Sequence, residues 1–200
     1  MKPLSTIQKL STGVATKIAA IGDSLTYGWM VSRAYLGYLQ DMISTRYPHA
    51  RFSMINAGIP GDTAEGGLHR LDYDIIARNP DCVLIQFALN DAFAGYPPQE
   101  FEGNIRSMIE RIRSATGADI ILVTSVCLND EREDRFIDQY YDKLEKLSEE
   151  YGLPLAAVHK YWKEKIREGT EFRRLVQYDL VHPTEAGYKL MAEAVMKVFY

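Results

Sequence analysis

Two cysteines and four histidines in 200 residues leave little room for several kinds of protein. A disulfide framework is excluded, because such scaffolds need many more cysteines in a short chain. Cys82 and Cys127 fall in runs that read as buried strands. Nothing polar beside them would lower a thiol pKa, so both read as packed free thiols rather than nucleophiles. His49, His69 and His159 show no metal-ligand spacing with any cysteine or acid and read as surface or packing residues. Basic charge is short too: 23 Lys and Arg against 27 Asp and Glu give a net charge of -4. That balance offers no footprint for nucleic acid. No apolar run approaches the length of a membrane span, so no integral membrane segment is expected. The stretch Met1 to Lys17 lacks the apolar core and small-residue cleavage site of a signal peptide, and the expected compartment is the cytoplasm.

What is present is an ordinary globular balance, 46% hydrophobic and 25% charged. Residues 1–200 are expected to form a single domain, with 1–16 as a polar lead-in that is helical or loosely attached. Apolar runs predict strands at 17–21, 52–55, 82–87, 119–126 and 153–158. Helical spacing predicts helices from Tyr35 to Tyr47, from Ala64 to Ala77, from Pro97 to Gly117 and from Phe136 to Gly152. A short helix is expected from Tyr161 to Glu168, and a last one opens at Pro183. The charged stretch 130–135 reads as a solvated loop or a helix start. Strands and helices alternate, and the strands are continuous apolar runs. That pattern predicts a parallel sheet covered on both faces, a three-layer α/β/α sandwich.

In such a fold the loops after the first three strands emerge on one edge of the sheet, where ligands bind. They carry Ser24, Gly61 and Asn90. Asp179-Leu180-Val181-His182-Pro183 precedes the final helix. Taken singly these are ordinary turn and cap residues. Together they supply what acyl transfer needs. Ser24 is the candidate nucleophile and His182 its general base. Asp179, three residues before His182, is placed to fix the imidazole tautomer. The N–H groups of Ser24 and Gly61 and the side-chain amide of Asn90 are candidate oxyanion donors. Asp23 and Asp91 read as loop braces. Trp29, Leu89, Phe93, Tyr96 and Val181 are candidates to line the substrate pocket. No cofactor or metal is needed for this chemistry.

The set resembles the SGNH hydrolases, the GDSL esterase/lipase family. Gly22-Asp23-Ser24-Leu25 matches its nucleophile block, and Asn56 to Thr63 its second block, where the oxyanion glycine aligns with Gly61. Asn90-Asp91 matches its third block, and Asp179 to Pro183 its last. The resemblance runs from about Lys17 to the C-terminus, and its second block looks most like bacterial thioesterase/lysophospholipase-type members. It implies a flavodoxin-like five-stranded parallel sheet, the SGNH hydrolase fold. It also implies a serine carboxylic-ester hydrolase that cleaves short-to-medium acyl esters through an acyl-enzyme. The family's third block usually carries glycine where this chain has Ala88, and that methyl is expected to narrow backbone approach and either shift Asn90 or tighten the acyl pocket. The alternatives are a carbohydrate acetylesterase of the same family and a non-catalytic α/β binding module.

Overall fold

The computed structural model describes residues 1–200, and its core is a five-stranded sheet. The strands are β1 (Thr16–Gly22), β2 (Phe52–Gly58), β3 (Cys82–Gln86), β4 (Asp119–Val123) and β5 (Leu155–Ala156). The helices are α1 (Leu4–Thr12), α2 (Ser24–Tyr27), α3 (Tyr35–Arg46), α4 (Ala64–Asp74) and α5 (Leu89–Phe93). They continue with α6 (Pro98–Ala115), α7 (Glu131–Tyr151), α8 (Val158–Arg167), α9 (Phe172–Leu175) and α10 (Glu185–Met196). All strand pairs are parallel, in the order β2-β1-β3-β4-β5. This is the flavodoxin-like arrangement. The chain winds outward from β1 to β2, then reverses across β1 to β3. The reversal opens a crevice between the carboxyl ends of β1 and β3.

The continuous apolar strands follow from burial on both faces. Ile18, Ala19, Ala20 and Ile21 of β1 are at most 1% exposed, as are all five residues of β3. Helices α4, α6 and α7 pack against one another in sequence, and α10 packs between α3 and α8. One cluster of buried apolar side chains runs through the sheet and both sets of helices.

Several boundaries differ from expectation, each for a physical reason. Of the two readings of residues 1–16, the structure has the helical one: Leu4–Thr12 form α1, closed by Gly13 in the left-handed region, φ 71°. Thr6 anchors it through its N–H and hydroxyl, both donating to Asp119 at 2.7 and 2.8 Å, and Leu10 is fully buried. The helix covers the end of the sheet opposite the crevice. Strand β2 runs on to Gly58, because polar Asn56 still pairs with Ala20 of the central strand. Strand β4 stops at Val123, so Cys127 lies in a buried irregular segment beyond it. Burial pushes the Cys127 thiol up to about 12. Strand β5 is only two residues long, and α8 starts at Val158 rather than Tyr161. The stretch 130–135 is the first turn of α7, capped by the Asp130 carboxylate, which accepts from the N–H groups of Arg132 and Glu133. The four-residue α9 is too short to leave a periodic signal.

Candidate active site

Ser24 is the first residue of α2, one step past the turn that ends β1. Asp23 fixes that turn by accepting the Leu25 N–H at 2.8 Å. Glycine at position 22 answers to space rather than to an unusual turn. A Cβ there would lie 2.6 Å from the Gln86 carbonyl oxygen and 2.3 Å from the Thr26 hydroxyl. Gly58 is similar, since a Cβ would fall 2.2 Å from the Tyr27 backbone nitrogen. The Ser24 turn is thus pressed between the ends of β2 and β3.

The structure brings Ser24, His182 and Asp179 together. Ser24 Oγ lies 2.8 Å from His182 Nε2, and His182 Nδ1 lies 2.6 Å from Asp179 Oδ2. The other Asp179 oxygen accepts the N–H groups of Val181 and His182 at 3.0 and 2.9 Å. One carboxylate therefore shapes the loop and orients the ring. Partial burial raises the Asp179 carboxyl, but the two N–H groups and the imidazole outweigh it, so it lies below the usual range. It stays an acceptor at neutral pH. An acceptor at Nδ1 leaves the Nε2 lone pair facing the serine hydroxyl. The loop carries backbone strain at Leu180, φ 63°. It is pinned by the antiparallel bridge of Val176 with Pro183 and by the Gln177 N–H donating to the His182 carbonyl at 2.8 Å.

Gly61 sits third in a turn from Ile59 to Asp62, closed by the Asp62 N–H donating to the Ile59 carbonyl at 3.1 Å. Its φ of 81° is the left-handed value such a turn demands after Pro60. The N–H groups of Ser24 and Gly61 donate to no protein acceptor. Asn90, in the first turn of α5, spends one amide hydrogen on the Asp62 carbonyl at 2.8 Å and keeps the other. Asp91 is a brace: one of its carboxylate oxygens accepts the Ala64 N–H at 2.9 Å. Its other oxygen has no partner, and burial pushes the carboxyl up to about 6.

The cleft above Ser24 encloses about 220 Å³ and is lined by Leu25, Leu89, Asn90, Phe93 and Val181 together with Asp23, Asp179 and His182. Two of the five pocket candidates fall outside it. Tyr96 is turned away, its phenol 3.3 Å from Glu65 and its carbonyl accepting the Tyr140 hydroxyl. Trp29 stands on the rim, 37% exposed, its ring centroid 6.0 Å from that of His182. Ala88 does not line the cleft either. It is fully buried with φ 149° and ψ -44°. The glycine at this place in the family thus answers to backbone conformation, and the Ala88 methyl does not tighten the acyl pocket. Relief of strain of order 1–3 kcal/mol exceeds the roughly 0.5–1 kcal/mol that glycine costs through the unfolded chain. Ala88→Gly is therefore expected to stabilise by about 1 kcal/mol, or roughly 2–4 °C in Tm, with acyl preference unchanged. Calorimetry and an ester series check both; a lower Tm would contradict this account.

Sequence reasoning missed a buried polar network beneath Ser24. The Gln86 amide donates to Asp23 at 3.2 Å and to Ser125 at 3.0 Å, while its oxygen accepts the Thr26 hydroxyl at 2.8 Å. Burial, against the pull of the Leu25 N–H and the Gln86 amide, pushes Asp23 up to about 7. The signal was a lone polar residue closing the apolar strand Cys82–Gln86. His159, read as surface or packing, is a packing residue. It is 3% exposed, with Nδ1 2.8 Å from the Thr124 hydroxyl.

A serine–imidazole–carboxylate relay at the carboxyl edge of a parallel sheet is the geometry of an α/β serine hydrolase. Comparison with known proteins narrows the class. The GDSL-like lipase/acylhydrolase family model matches residues 20–190, and the chain belongs to that family. An arylesterase of Vibrio mimicus is 30% identical over 142 residues, 70% of this chain and 68% of the relative. An acetylxylan esterase of Geobacillus stearothermophilus is 25% identical over 213 residues, covering 94% of this chain and 95% of the relative. A crystal structure of an acetylxylan esterase from that organism superposes with a TM-score of 0.82 at 24% identity, over 92% of this chain and 94% of that one.

Proposed function

We propose that this protein is a serine esterase that hydrolyses short acyl esters through an acyl-enzyme on Ser24. The observation that carries this reading is the 2.8 Å contact between Ser24 Oγ and His182 Nε2, with Asp179 behind the ring. Ser24 Oγ attacks the ester carbonyl carbon as its proton passes to Nε2. The oxyanion so formed is held by the N–H groups of Ser24 and Gly61 and the spare amide hydrogen of Asn90. Collapse expels the alcohol, which takes the proton from Nε2. Water then adds to the acyl carbon by the same route and frees the acid and the serine. No group outside the chain is required. The Tyr188 hydroxyl, 3.3 Å from the Ser24 carbonyl, steadies the nucleophile's backbone.

The cleft volume of about 220 Å³ is below the roughly 300 Å³ at which pockets begin to hold drug-sized ligands. It favours acyl groups of a few carbons. Among p-nitrophenyl acetate, butyrate and octanoate, kcat/KM is expected to fall at least ~10-fold from butyrate to octanoate, on the scale of methylene discrimination in an apolar pocket. A flat or rising series would overturn the short-acyl reading. Failure of a fluorophosphonate probe to label Ser24 would favour a binding module instead. The second reading, a carbohydrate acetylesterase, is supported by Trp29. Its exposed ring stands beside His182, where the alcohol leaves, and aromatic faces suit sugar rings. A steep preference for an acetylated xylooligosaccharide over p-nitrophenyl acetate would select it. The two unpaired, buried thiols fit a reducing compartment, the cytoplasm.

A further inference from the structure

Arg70, on α4, hydrogen-bonds to none of the residues that line the cleft, yet its guanidinium fastens three of the pieces that build it. Its side chain is 15% exposed. Nε donates to Asp62 Oδ2 at 2.8 Å, Nη2 to the Gly22 carbonyl at 3.1 Å and Nη1 to the Ala57 carbonyl at 2.6 Å. Nη1 also reaches Asp74, one helical turn on, at 2.9 Å. Gly22 ends β1 two residues before Ser24. Ala57 lies at the end of β2. Asp62 closes the turn that presents Gly61.

We propose that Arg70 is the positioning residue of the oxyanion site, holding the Gly61 turn and, through Asp62, the Asn90 amide in register with Ser24. The inference rests on the reading of Gly61 and Asn90 as oxyanion donors. Gly61 has no side chain to pack, and nothing lies within 4 Å of where a Cβ would be. Its position is set instead by polar ties. The Ile59 N–H donates to the Gly22 carbonyl at 3.0 Å, and Asn90 donates to the Asp62 carbonyl at 2.8 Å. The Asp62 carboxylate adds two more, accepting the Thr63 N–H at 3.0 Å and the Arg70 guanidinium at 2.8 Å. Gly22 thus receives both the turn, through Ile59, and Arg70. Removing the guanidinium leaves the Asp62 carboxylate held only by the Thr63 N–H next to it, and takes one donor each from the Gly22 and Ala57 carbonyls, Gly22 keeping the Ile59 N–H. The turn then shifts relative to Ser24. An oxyanion hole works only while its donors stand at about 2.7–3.1 Å from the developing charge. Lysine cannot substitute, because a single ammonium lacks the planar fork that reaches a carboxylate and two carbonyls at once.

The test uses the full chain carrying Arg70→Ala or Arg70→Lys, with active sites counted by fluorophosphonate titration. Expected for both is a loss of roughly 30- to 100-fold in kcat/KM per titrated site on p-nitrophenyl acetate, the scale of a misplaced reactive group. KM changes little. The inhibition constant of an alkylboronic acid, which forms a tetrahedral adduct on the serine, rises by a similar factor. Guanidinium ion partly restores Arg70→Ala. Asp81→Asn, which removes an ion-pair partner of Lys9 at the opposite end of the sheet, lowers Tm but keeps per-site kcat/KM within about twofold of the parent, as expected for remote sites. The proposal is overturned if kcat/KM per titrated site and the boronate constant of both Arg70 variants stay within threefold of the parent. If Asn90→Ala is equally silent, the oxyanion reading itself fails; if Asn90→Ala alone is impaired, only the Arg70 role fails. Should Arg70→Ala not fold, Arg70→Lys and Asp62→Asn carry the same comparison.

Discussion

Ser24→Ala is expected to lower kcat/KM by about 10⁴-fold or more while the protein unfolds within a degree or two of the parent. The activity loss follows from the absence of any other oxygen poised on His182. The small stability change follows from the contacts Ser24 makes. Its hydroxyl bonds only the imidazole. Its backbone carbonyl keeps the Gly28 and Trp29 N–H groups at 3.0 and 3.2 Å and the Tyr188 hydroxyl, none of which depends on Oγ. Alanine is also a good helix former at the start of α2. Ester turnover with and without fluorophosphonate pretreatment, alongside a thermal scan, measures both quantities. His182→Ala should cost nearly as much, and the double variant little more, because the two act as one unit. Turnover within tenfold of the parent after either change would remove the proposed mechanism.

Asn90→Ala should be the next most damaging change, at about 10²- to 10³-fold in kcat with KM moved by no more than a few-fold. The split between the two parameters is the informative part. An amide that meets the carbonyl oxygen only as it becomes an oxyanion stabilises the transition state and not the bound ester. Asn90 also donates to the Asp62 carbonyl, so the variant loosens the Gly61 turn as well. Its effect and that of Arg70→Ala are therefore expected to be less than additive, which a double-mutant cycle resolves. A change confined to KM would recast Asn90 as a ground-state binding residue.

The parts of this molecule that could be read in one dimension were those whose signal is local. Asp179 and His182 were found together because a three-residue spacing lets one carboxylate bond both the ring and the N–H groups of its own loop. Ile18 to Ile21 announced a central strand because burial on both faces demands unbroken apolar residues. Asp130 reads as either loop or helix start, although its cap is local, because the charged turn after it carries no apolar stripe. Tyr96, a pocket candidate by sequence, does not line the cleft. The helical turn of α5 and the left-handed Gly95, φ 80°, carry it instead toward Glu65.

Residue types and their spacing settled by themselves the alternation of strand and helix and the candidate groups at four loop positions. Periodicity and side-chain chemistry are properties of short stretches. Only the tertiary structure decided that Arg70 would grip Gly22, 48 positions away, and that Gln86 would reach Asp23, 63 positions away. Strand order makes β1 the neighbour of both β2 and β3, and no local pattern encodes which buried polar groups that neighbourhood leaves paired and which N–H groups it leaves free.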